Sequence, residues 1–264
     1  MKDEIERKNS SWKRILLFFM IATIFSNLFR FDVFDLKVGL KELPTWLFML
    51  SIVFLEGSGV LIAALIVLSF LKKKRKTEIT LFGTSKSKSL VMVIIPMVIL
   101  TLIGVKNEFE MNAHVYGFIA IIGTLIYCIM EEYGWRGYMQ EELKIIKPWE
   151  KYLLIGILWY LWHLAFLTNS TFGDNLFFLA MMIVGSWGIG QVAEATKSII
   201  ASACFHLIIQ IMLFNSLIKN GINGTEKLLI LGVSVLLWFV IIKKWEKENT
   251  RTTAVSKRES RLMR

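Results

Sequence analysis

Two adjacent glutamates, Glu131 and Glu132, directly follow a run of apolar residues and precede Arg136. A charged side chain at the centre of a bilayer costs roughly 2.5–3.5 kcal/mol on insertion scales, so charges near membrane depth indicate a functional site. On a helix, Glu132 and Arg136 stand at i and i+4 in the favourable order, which predicts an ion pair. Glu131 faces a different direction and lacks that partner. Its carboxylate is therefore a candidate general base, and a solvated glutamate at a helix end is the alternative.

Two histidines inside later apolar segments, His163 and His206, extend this candidate site. His163 shares a helix face with Trp159, four residues earlier. Polar residues recur at every fourth position of the later segment: Ser198, Ser202, His206 and Gln210. This spacing predicts one polar face, on which His206 and Gln210 could donate hydrogen bonds to a developing oxyanion. The alternative is that these side chains only join membrane helices.

Glu131, His163 and His206 also form a possible zinc ligand set, since one carboxylate and two imidazoles occur together in catalytic zinc sites. The chain contains no H-E-x-x-H sequence, which excludes the zincin arrangement, and no G-x-S-x-G nucleophile elbow. A metal-free glutamate mechanism without a cofactor is therefore favoured. A divalent metal such as zinc is the alternative.

The segments that must position these residues are long and apolar. Hydrophobic residues make up 55% of the 264-residue chain, too many for a water-soluble domain. We expect an all-α polytopic membrane protein with a single domain over 1–264, motifs between about 120 and 215, and a basic cytoplasmic tail at 243–264. Eight apolar segments are candidate transmembrane helices: about 15–29, 46–71, 90–105, 115–130, 152–168, 176–193, 198–218 and 228–242.

The net charge of +10 comes from lysines and arginines that cluster in loops and tails. Such clustering is typical of membrane topology rather than of a nucleic-acid-binding face, so nucleic acid is not an expected partner. In an eight-helix arrangement, most of the 31 cations fall on one side, including the run Lys72–Lys76, which predicts that both termini are cytoplasmic. Glu131 then lies at the cytoplasmic end of the fourth segment, with both histidines in the cytoplasmic half. Water would reach the site from the cytoplasm.

Three motifs in this chain resemble those of one membrane protein family. The run E-E-Y-G-W-R-G at 131–137, His163 in an aromatic-rich segment and His206 in a late segment together resemble the CAAX protease and bacteriocin-processing family of intramembrane proteases, also called Abi proteins. The resemblance implies an eight-helix intramembrane peptidase. By position, Glu131 activates water, His163 helps to hold that water, and His206 stabilises the oxyanion.

The resemblance also assigns supporting roles. Glu132 and Arg136 would shape the helix that carries the first motif. Two positions depart from the usual pattern of the family. Trp159 stands where a Phe is usual, and Gln210 stands where an Asn or Asp is usual. The Gln210 amide can still donate a hydrogen bond, although its side chain is one methylene longer.

The leading hypothesis is an intramembrane endopeptidase in a bacterial cytoplasmic membrane. Its partners would be the lipid bilayer and a membrane-associated peptide or protein substrate. A non-catalytic role in bacteriocin self-immunity, or as a membrane scaffold, is the alternative within the same family. A small-molecule transporter is a third hypothesis, but the sequence contains no clear inverted repeat to support it.

Overall fold

Helices form the regular structure of the residues that the computed structural model describes, which are 2–70, 77–163 and 171–262. Those residues contain no strand, and pair in β fashion only at an isolated bridge between Thr80 and Ser198. The all-α prediction is therefore confirmed. The helices in chain order are α1 (Lys2–Arg30), α2 (Leu36–Leu40), α3 (Thr45–Phe70), α4 (Lys86–Ile103), α5 (Ala113–Glu132), α6 (Gln140–Glu142), α7 (Pro148–His163), α8 (Phe172–Thr196), α9 (Ile199–Ile209), α10 (Ser216–Lys219) and α11 (Gly224–Leu262).

Within the described residues, six helical stretches are long and apolar enough to span a membrane: Ser11–Arg30, Thr45–Ser69, Lys86–Ile103, Ala113–Ile145, Phe172–Thr196 and Gly224–Thr250. The chain is therefore a multi-pass membrane protein. A shorter apolar stretch, Ile199–Phe214, lies at the predicted seventh segment, and α7 lies at the predicted fifth. Residues 164–168 of that fifth segment and the basic run Lys72–Lys76 fall outside the described residues. The count of eight helices stays a prediction.

The fourth segment, predicted at 115–130, is much longer in the structure. α5 continues through a π-helical segment, Tyr133–Met139, and α6 to a 3-10 turn that ends at Ile145. At 1.5 Å per residue, Glu131 lies about 20 Å before that end, so the helical stretch runs past the end predicted for this segment. α5 itself ends at Glu132, and the cytoplasmic position of Glu131 stays a prediction. The charges of the first motif look like a helix end in the sequence, but packing buries Arg136 completely and the helix runs on.

Small residues allow α7 and α8 to approach closely. A Cβ on Gly156 of α7 would lie only 2.6 Å from the Cα of Ile183 in α8. A Cβ on Gly190 would overlap the ring of Tyr152. Larger side chains at either glycine would push the two helices apart. This contact fixes the position of α7, which carries His163 at its end.

One end of the bundle, which we call the ionic end, is closed by five charged residues. Arg14 donates to both carboxylate oxygens of Glu142, at 3.2 and 2.8 Å. Glu78 lies 2.9 Å from the Nζ of Lys197 and 3.1 Å from that of Lys144. Hydrogen bonds from Lys197 and Lys144 lower the pKa of Glu78 to about 2. Each of these two carboxylates therefore has a cation within ion-pair distance.

The opposite end of the bundle, which we call the loop end, consists of residues 31–44, 104–112 and 215–223. The backbone N–H of Lys106 donates to the carbonyl of Gly221 at 2.9 Å, which joins two of these segments. α5 starts at the loop end and runs toward the ionic end. The candidate site lies on α5, α7 and α9 between the two ends.

Helix α11 extends through most of the predicted basic tail, 243–264. The indole N–H of Trp245 donates to the Thr84 hydroxyl at 2.6 Å. The Asn249 amide donates to the Ala195 carbonyl at 3.2 Å. The first part of that tail is therefore a helix held against the bundle.

Candidate active site

Glu132 is fully buried, with His206 beside one carboxylate oxygen and Arg136 beside the other. Oε1 lies 2.9 Å from Nδ1 of His206, which is 74 residues away in the chain. Oε2 lies 3.3 Å from Nε of Arg136, which is the predicted i,i+4 pair. The sequence predicts the second contact but not the first. Glu132 therefore joins the first motif, on α5, to the third motif, on α9.

Glu131 is equally buried but has a much sparser environment. Its Oε2 accepts a hydrogen bond from the indole N–H of Trp159 at 3.3 Å. Its Oε1 has no hydrogen-bond partner among the described residues. An ionised or neutral carboxyl group buried without its full set of hydrogen bonds is costly, so such a group needs a reason to persist. Oε2 of Glu132 also lacks a hydrogen bond, but it lies 3.3 Å from the Arg136 guanidinium, whereas Oε1 of Glu131 has no such cation beside it among the described residues.

Aromatic side chains form the wall that keeps water from this region. The indoles of Trp135, Trp159 and Trp162 are all buried, with ring centroids 6.1–6.4 Å apart where they meet Trp135. The guanidinium of Arg136 lies 5.0 Å from the centre of the Trp159 ring. A cation over an indole face is stabilised by the ring quadrupole, more so when it is desolvated. Trp159 thus contacts both Arg136 and Glu131.

The two polar residues of α9 and its π-helical continuation form a chain with Glu132. The amide nitrogen of Gln210 lies 3.3 Å from Nε2 of His206. An amide nitrogen can only donate, so Nε2 accepts and Nδ1 carries the proton toward Glu132. His206 also packs edge-on against Trp159, with ring centroids 5.0 Å apart. The imidazole is therefore fixed in both orientation and tautomer.

The other two residues of the predicted polar face are structural. Ser198 caps α9, accepting from the Ala201 N–H at 3.1 Å, and its hydroxyl lies 2.8 Å from that of Ser89. The Ser202 hydroxyl donates to the Ser198 carbonyl at 3.0 Å. All of these contacts lie on the ionic-end side of His206.

His163 lies at the end of α7 and is almost fully buried. Its Nδ1 donates to the backbone carbonyl of Trp159 at 2.7 Å, which leaves Nε2 as the nitrogen with the lone pair. The ring packs edge-on against Trp162 and Phe178 and lies 5.9 Å from Phe214. His163 is thus placed as a hydrogen-bond acceptor inside an aromatic enclosure.

A cavity of about 400 Å³ reaches His163 and Gln210. Half-exposed Lys37 and Glu56 line its other side, and the walls between are mostly apolar and aromatic, with Tyr127 among them. Tyr127 is one helical turn before Glu131 on α5, so it shares that residue's face. Pockets of this size are typical of small-molecule or short-peptide sites.

The cavity extends to the loop end, because Lys37 lies in the 31–44 segment and Phe109 in the 104–112 segment. The sequence analysis predicts water access from the cytoplasm, and this stays a prediction. The residues that line the cavity lie toward the loop end. At the ionic end, ion pairs join α1 to α6 and Glu78 to Lys197.

The possible zinc set does not fit this arrangement. Among the described residues, no three His, Cys, Asp or Glu side chains are grouped so that they could hold one metal ion. Both nitrogens of His206 already face protein partners, Glu132 and Gln210. Nδ1 of His163 faces a backbone carbonyl. No step that follows is assigned to a metal.

The structure brings every predicted site residue into one connected group. Trp159 contacts Glu131 and His206, and precedes His163 by one turn. The residues that the sequence analysis missed are Lys37 and Tyr127. Tyr127 could have been found from its i−4 spacing to Glu131. Lys37 carries no such signal, because a lysine in a loop resembles any solvated lysine.

Comparison with known proteins covers the same region. The family model of type II CAAX prenyl endopeptidases, Rce1-like, matches residues 113–212. CAAX prenyl protease 2 of Methanococcus maripaludis is 32% identical over 99 residues, a match that covers 33% of this chain and 36% of that relative. The match therefore spans about a third of the curated relative's length. The resemblance to CAAX proteases is confirmed for the part of the chain that contains Glu131 through Gln210.

Proposed function

We propose that this protein is an intramembrane endopeptidase that cleaves a membrane-associated peptide or protein, with Glu131 as the group that activates water. The contrast between two neighbouring carboxylates carries the proposal. Glu132 has the His206 imidazole beside one oxygen and the Arg136 guanidinium within ion-pair distance of the other. Glu131 accepts from the Trp159 indole, and its Oε1 has neither a hydrogen-bond partner nor a cation within ion-pair distance among the described residues. A buried carboxylate oxygen left open beside a cavity is suited to accept a proton from water.

The proposed reaction is hydrolysis of a peptide bond. Glu131 takes one proton from a water molecule, and the water oxygen attacks the peptide carbonyl carbon. The tetrahedral intermediate that forms carries its negative charge on the former carbonyl oxygen. Glu131 then returns the proton to the amide nitrogen, the C–N bond breaks, and a carboxylic acid and an amine are released. Low dielectric surroundings strengthen each hydrogen bond to the intermediate.

Gln210 is the proposed donor to the oxyanion. It lines the cavity, and one amide hydrogen is used on His206, so the second can face a substrate carbonyl. His206 then acts as a positioning residue, because its Nε2 holds the Gln210 amide and its Nδ1 is held by Glu132. This differs from the role implied by the family resemblance, in which His206 itself meets the oxyanion.

His163 is the proposed second contact of the attacking water. It lines the cavity, and its lone-pair nitrogen is set by the hydrogen bond from Nδ1 to the Trp159 carbonyl. The indole of the same Trp159 donates to Glu131. One residue thus orients both groups that would hold the water.

The test is cleavage by the full chain reconstituted in liposomes. The substrates are a panel of bacterial leader peptides and a farnesylated CAAX peptide, each with and without a metal chelator. We expect cleavage that persists with chelator and falls by roughly 10²–10⁴-fold in Glu131→Gln, the range of a general base. Glutamine keeps the oxygen that accepts from Trp159, so the variant is expected to fold.

Other outcomes separate the remaining hypotheses. Loss of cleavage on chelation would favour the metal-dependent alternative. Full cleavage by Glu131→Gln would remove Glu131 from the mechanism. If no peptide is cleaved and Glu131→Gln keeps the cellular phenotype, the non-catalytic immunity or scaffold role is favoured. Labelling of Lys41 and the α11 tail from each side of the membrane would test the proposed orientation, with both termini in the cytoplasm.

A further inference from the structure

An ion pair stands at the far side of the cavity from the candidate catalytic residues. Nζ of Lys37 lies 2.9 Å from Oε1 of Glu56 and 3.4 Å from the backbone carbonyl of Arg30. The side chains of Lys37 and Glu56 are 28% and 35% exposed. Lys37 and Glu56 are the residues with a full charge among the described residues that line the cavity.

The backbone around Lys37 is held in a special conformation. Asp32 and Asp35 adopt positive φ angles of 49° and 52°, which aspartate tolerates better than most residues. The carboxylate of Asp32 accepts from the backbone N–H of Lys37 at 3.1 and 3.2 Å. The turn therefore directs the Lys37 side chain toward α3. Ordered, strained turns of this kind occur disproportionately at functional sites.

The pair is poised to exchange its carboxylate for another. A half-exposed ion pair between flexible side chains gains little from its own attraction, because water screens it. The Glu56 side chain is 35% exposed, so protein does not enclose it when it loses Lys37. A second cation lies close behind: the guanidinium of Arg30 stacks on the Trp162 ring at 3.7 Å. The Lys37 ammonium has three N–H donors, and its contacts with Glu56 and the Arg30 carbonyl use two of them, which leaves one donor for an anionic ligand in the cavity.

We infer that Lys37 binds a carboxylate of the peptide substrate, displacing Glu56, and so determines which peptides are cut. The inference rests on the proposed function and names the substrate class of the same site: peptides with a carboxylate on the part that occupies the cavity. That group can be the C-terminal carboxylate or an acidic side chain. The distance between this carboxylate and the scissile bond would match the distance between Lys37 and Gln210 across the cavity.

The experiment compares three probes that differ only at the carboxylate. They are a dansyl-labelled farnesylated CAAX peptide with a free C-terminal carboxylate, its C-terminal amide, and that amide with Glu as the last residue. The full-length protein in liposomes is assayed for cleavage, and binding is measured separately by dansyl fluorescence with Glu131→Gln. Variants are Lys37→Met, Lys37→Arg and Glu56→Gln. Lys41→Met, a nearby exposed lysine outside the cavity lining, is the matched control.

We expect Lys37→Met to raise the Kd and KM for the free acid by about 10- to 100-fold, the loss of one charge-assisted hydrogen bond, with kcat little changed. The amide should bind weakly to every variant. Lys37→Arg should restore the preference for the acid, Glu56→Gln should strengthen it, and Lys41→Met should leave it unchanged. If the Glu-terminated amide binds as well as the free acid, Lys37 recognises an acidic side chain. If it binds as weakly as the plain amide, Lys37 recognises the C-terminal carboxylate.

Equal effects of Lys37→Met on the acid and the amide would overturn the inference. So would an acid preference that Lys37→Arg does not restore. The binding arm keeps this outcome apart from failure of the proposed function. Protein that binds the acid through Lys37 but cleaves nothing contradicts the endopeptidase and supports the carboxylate site. Cleavage that requires Glu131 but does not depend on the peptide carboxylate supports the endopeptidase and contradicts the carboxylate site.

Discussion

The ionic end and the candidate site both hold carboxylates, but they pair them differently. At the ionic end, Glu142 accepts two hydrogen bonds from Arg14, and Glu78 lies between two lysines. In the candidate site, Glu131 receives one indole hydrogen bond and keeps an oxygen with no hydrogen-bond partner among the described residues. Complete pairing closes one end of the bundle. Incomplete pairing at its centre leaves a group available for a reacting molecule.

Glu132 lies in the candidate site, but its pairing resembles that of the ionic end. It is the neighbour of Glu131, yet it has an imidazole beside one oxygen and a guanidinium within ion-pair distance of the other. The two adjacent glutamates therefore have different proposed roles. Glu132 joins α5 to α9, and Glu131 activates water. A buried charge held in this way tolerates loss of its partner poorly, because the remaining charge stays in a low dielectric.

The largest expected effect on stability comes from Glu132→Gln. This change leaves the fully buried Arg136 without a counter-charge, so we expect the free energy of unfolding to fall by about 3–5 kcal/mol. Glu131→Gln should lower it by less than about 1 kcal/mol, because glutamine can still accept from Trp159. Denaturation of both variants in detergent micelles measures the difference. Equal losses would mean that the two glutamates do not differ in role.

The next largest effect is on catalysis and concerns the candidate site alone. Gln210→Leu removes the proposed oxyanion donor, and we expect kcat to fall by roughly 10²–10³-fold while peptide binding changes little. Asn215→Leu is the matched control, because Asn215 also lines the cavity but donates its amide to Thr124 at 2.5 Å. It should cost stability more than kcat. Comparable losses of kcat in both variants would assign Gln210 a packing role.

At the ionic end, we expect substitutions to change stability rather than cleavage. Arg14→Met leaves the nearly buried Glu142 without its strongest donor, so we expect a loss of about 1–3 kcal/mol in the free energy of unfolding and unchanged cleavage per folded molecule. Adding Glu142→Met should recover much of that loss, because an apolar pair can replace an ion pair. Reduced kcat in folded Arg14→Met protein would show that the ionic end takes part in the chemistry.

The sequence predicts the site residues better than it predicts their surroundings. Glu131, His163 and His206 are conspicuous because ionisable residues are expensive within apolar segments, and the structure brings them together through Trp159. The contact between Glu132 and His206 joins residues 74 positions apart, which only tertiary packing can show. The end of the fourth segment was misplaced because the charges of the motif resemble a helix terminus. Their burial by three tryptophans is a property of the assembled bundle.

The same reasoning applies to the position of the cavity. Basic residues near Lys144 and Lys197 indicate a water-facing surface but say nothing of where a cavity lies. Both lysines form ion pairs with Glu78. At the loop end, one pair lines the cavity instead. Charge counts thus locate the surfaces of a membrane protein, while the pairing of those charges decides which surface is open.

The smallest expected effect is a pH dependence at the ionic end. Lys197 and Lys144 lower the pKa of Glu78 to about 2, so its stabilising contribution is complete above the ordinary carboxyl pKa and is lost as pH falls from about 5 toward 2. Because the Glu78 side chain is 56% exposed, we expect only roughly 0.2–1 kcal/mol at pH 7. Glu78→Gln should therefore be slightly less stable than the parent at pH 7, and the gap should close as the pH approaches about 2. A gap that is constant with pH would mean that Glu78 contributes by packing, and that the ion pairs do not close this end.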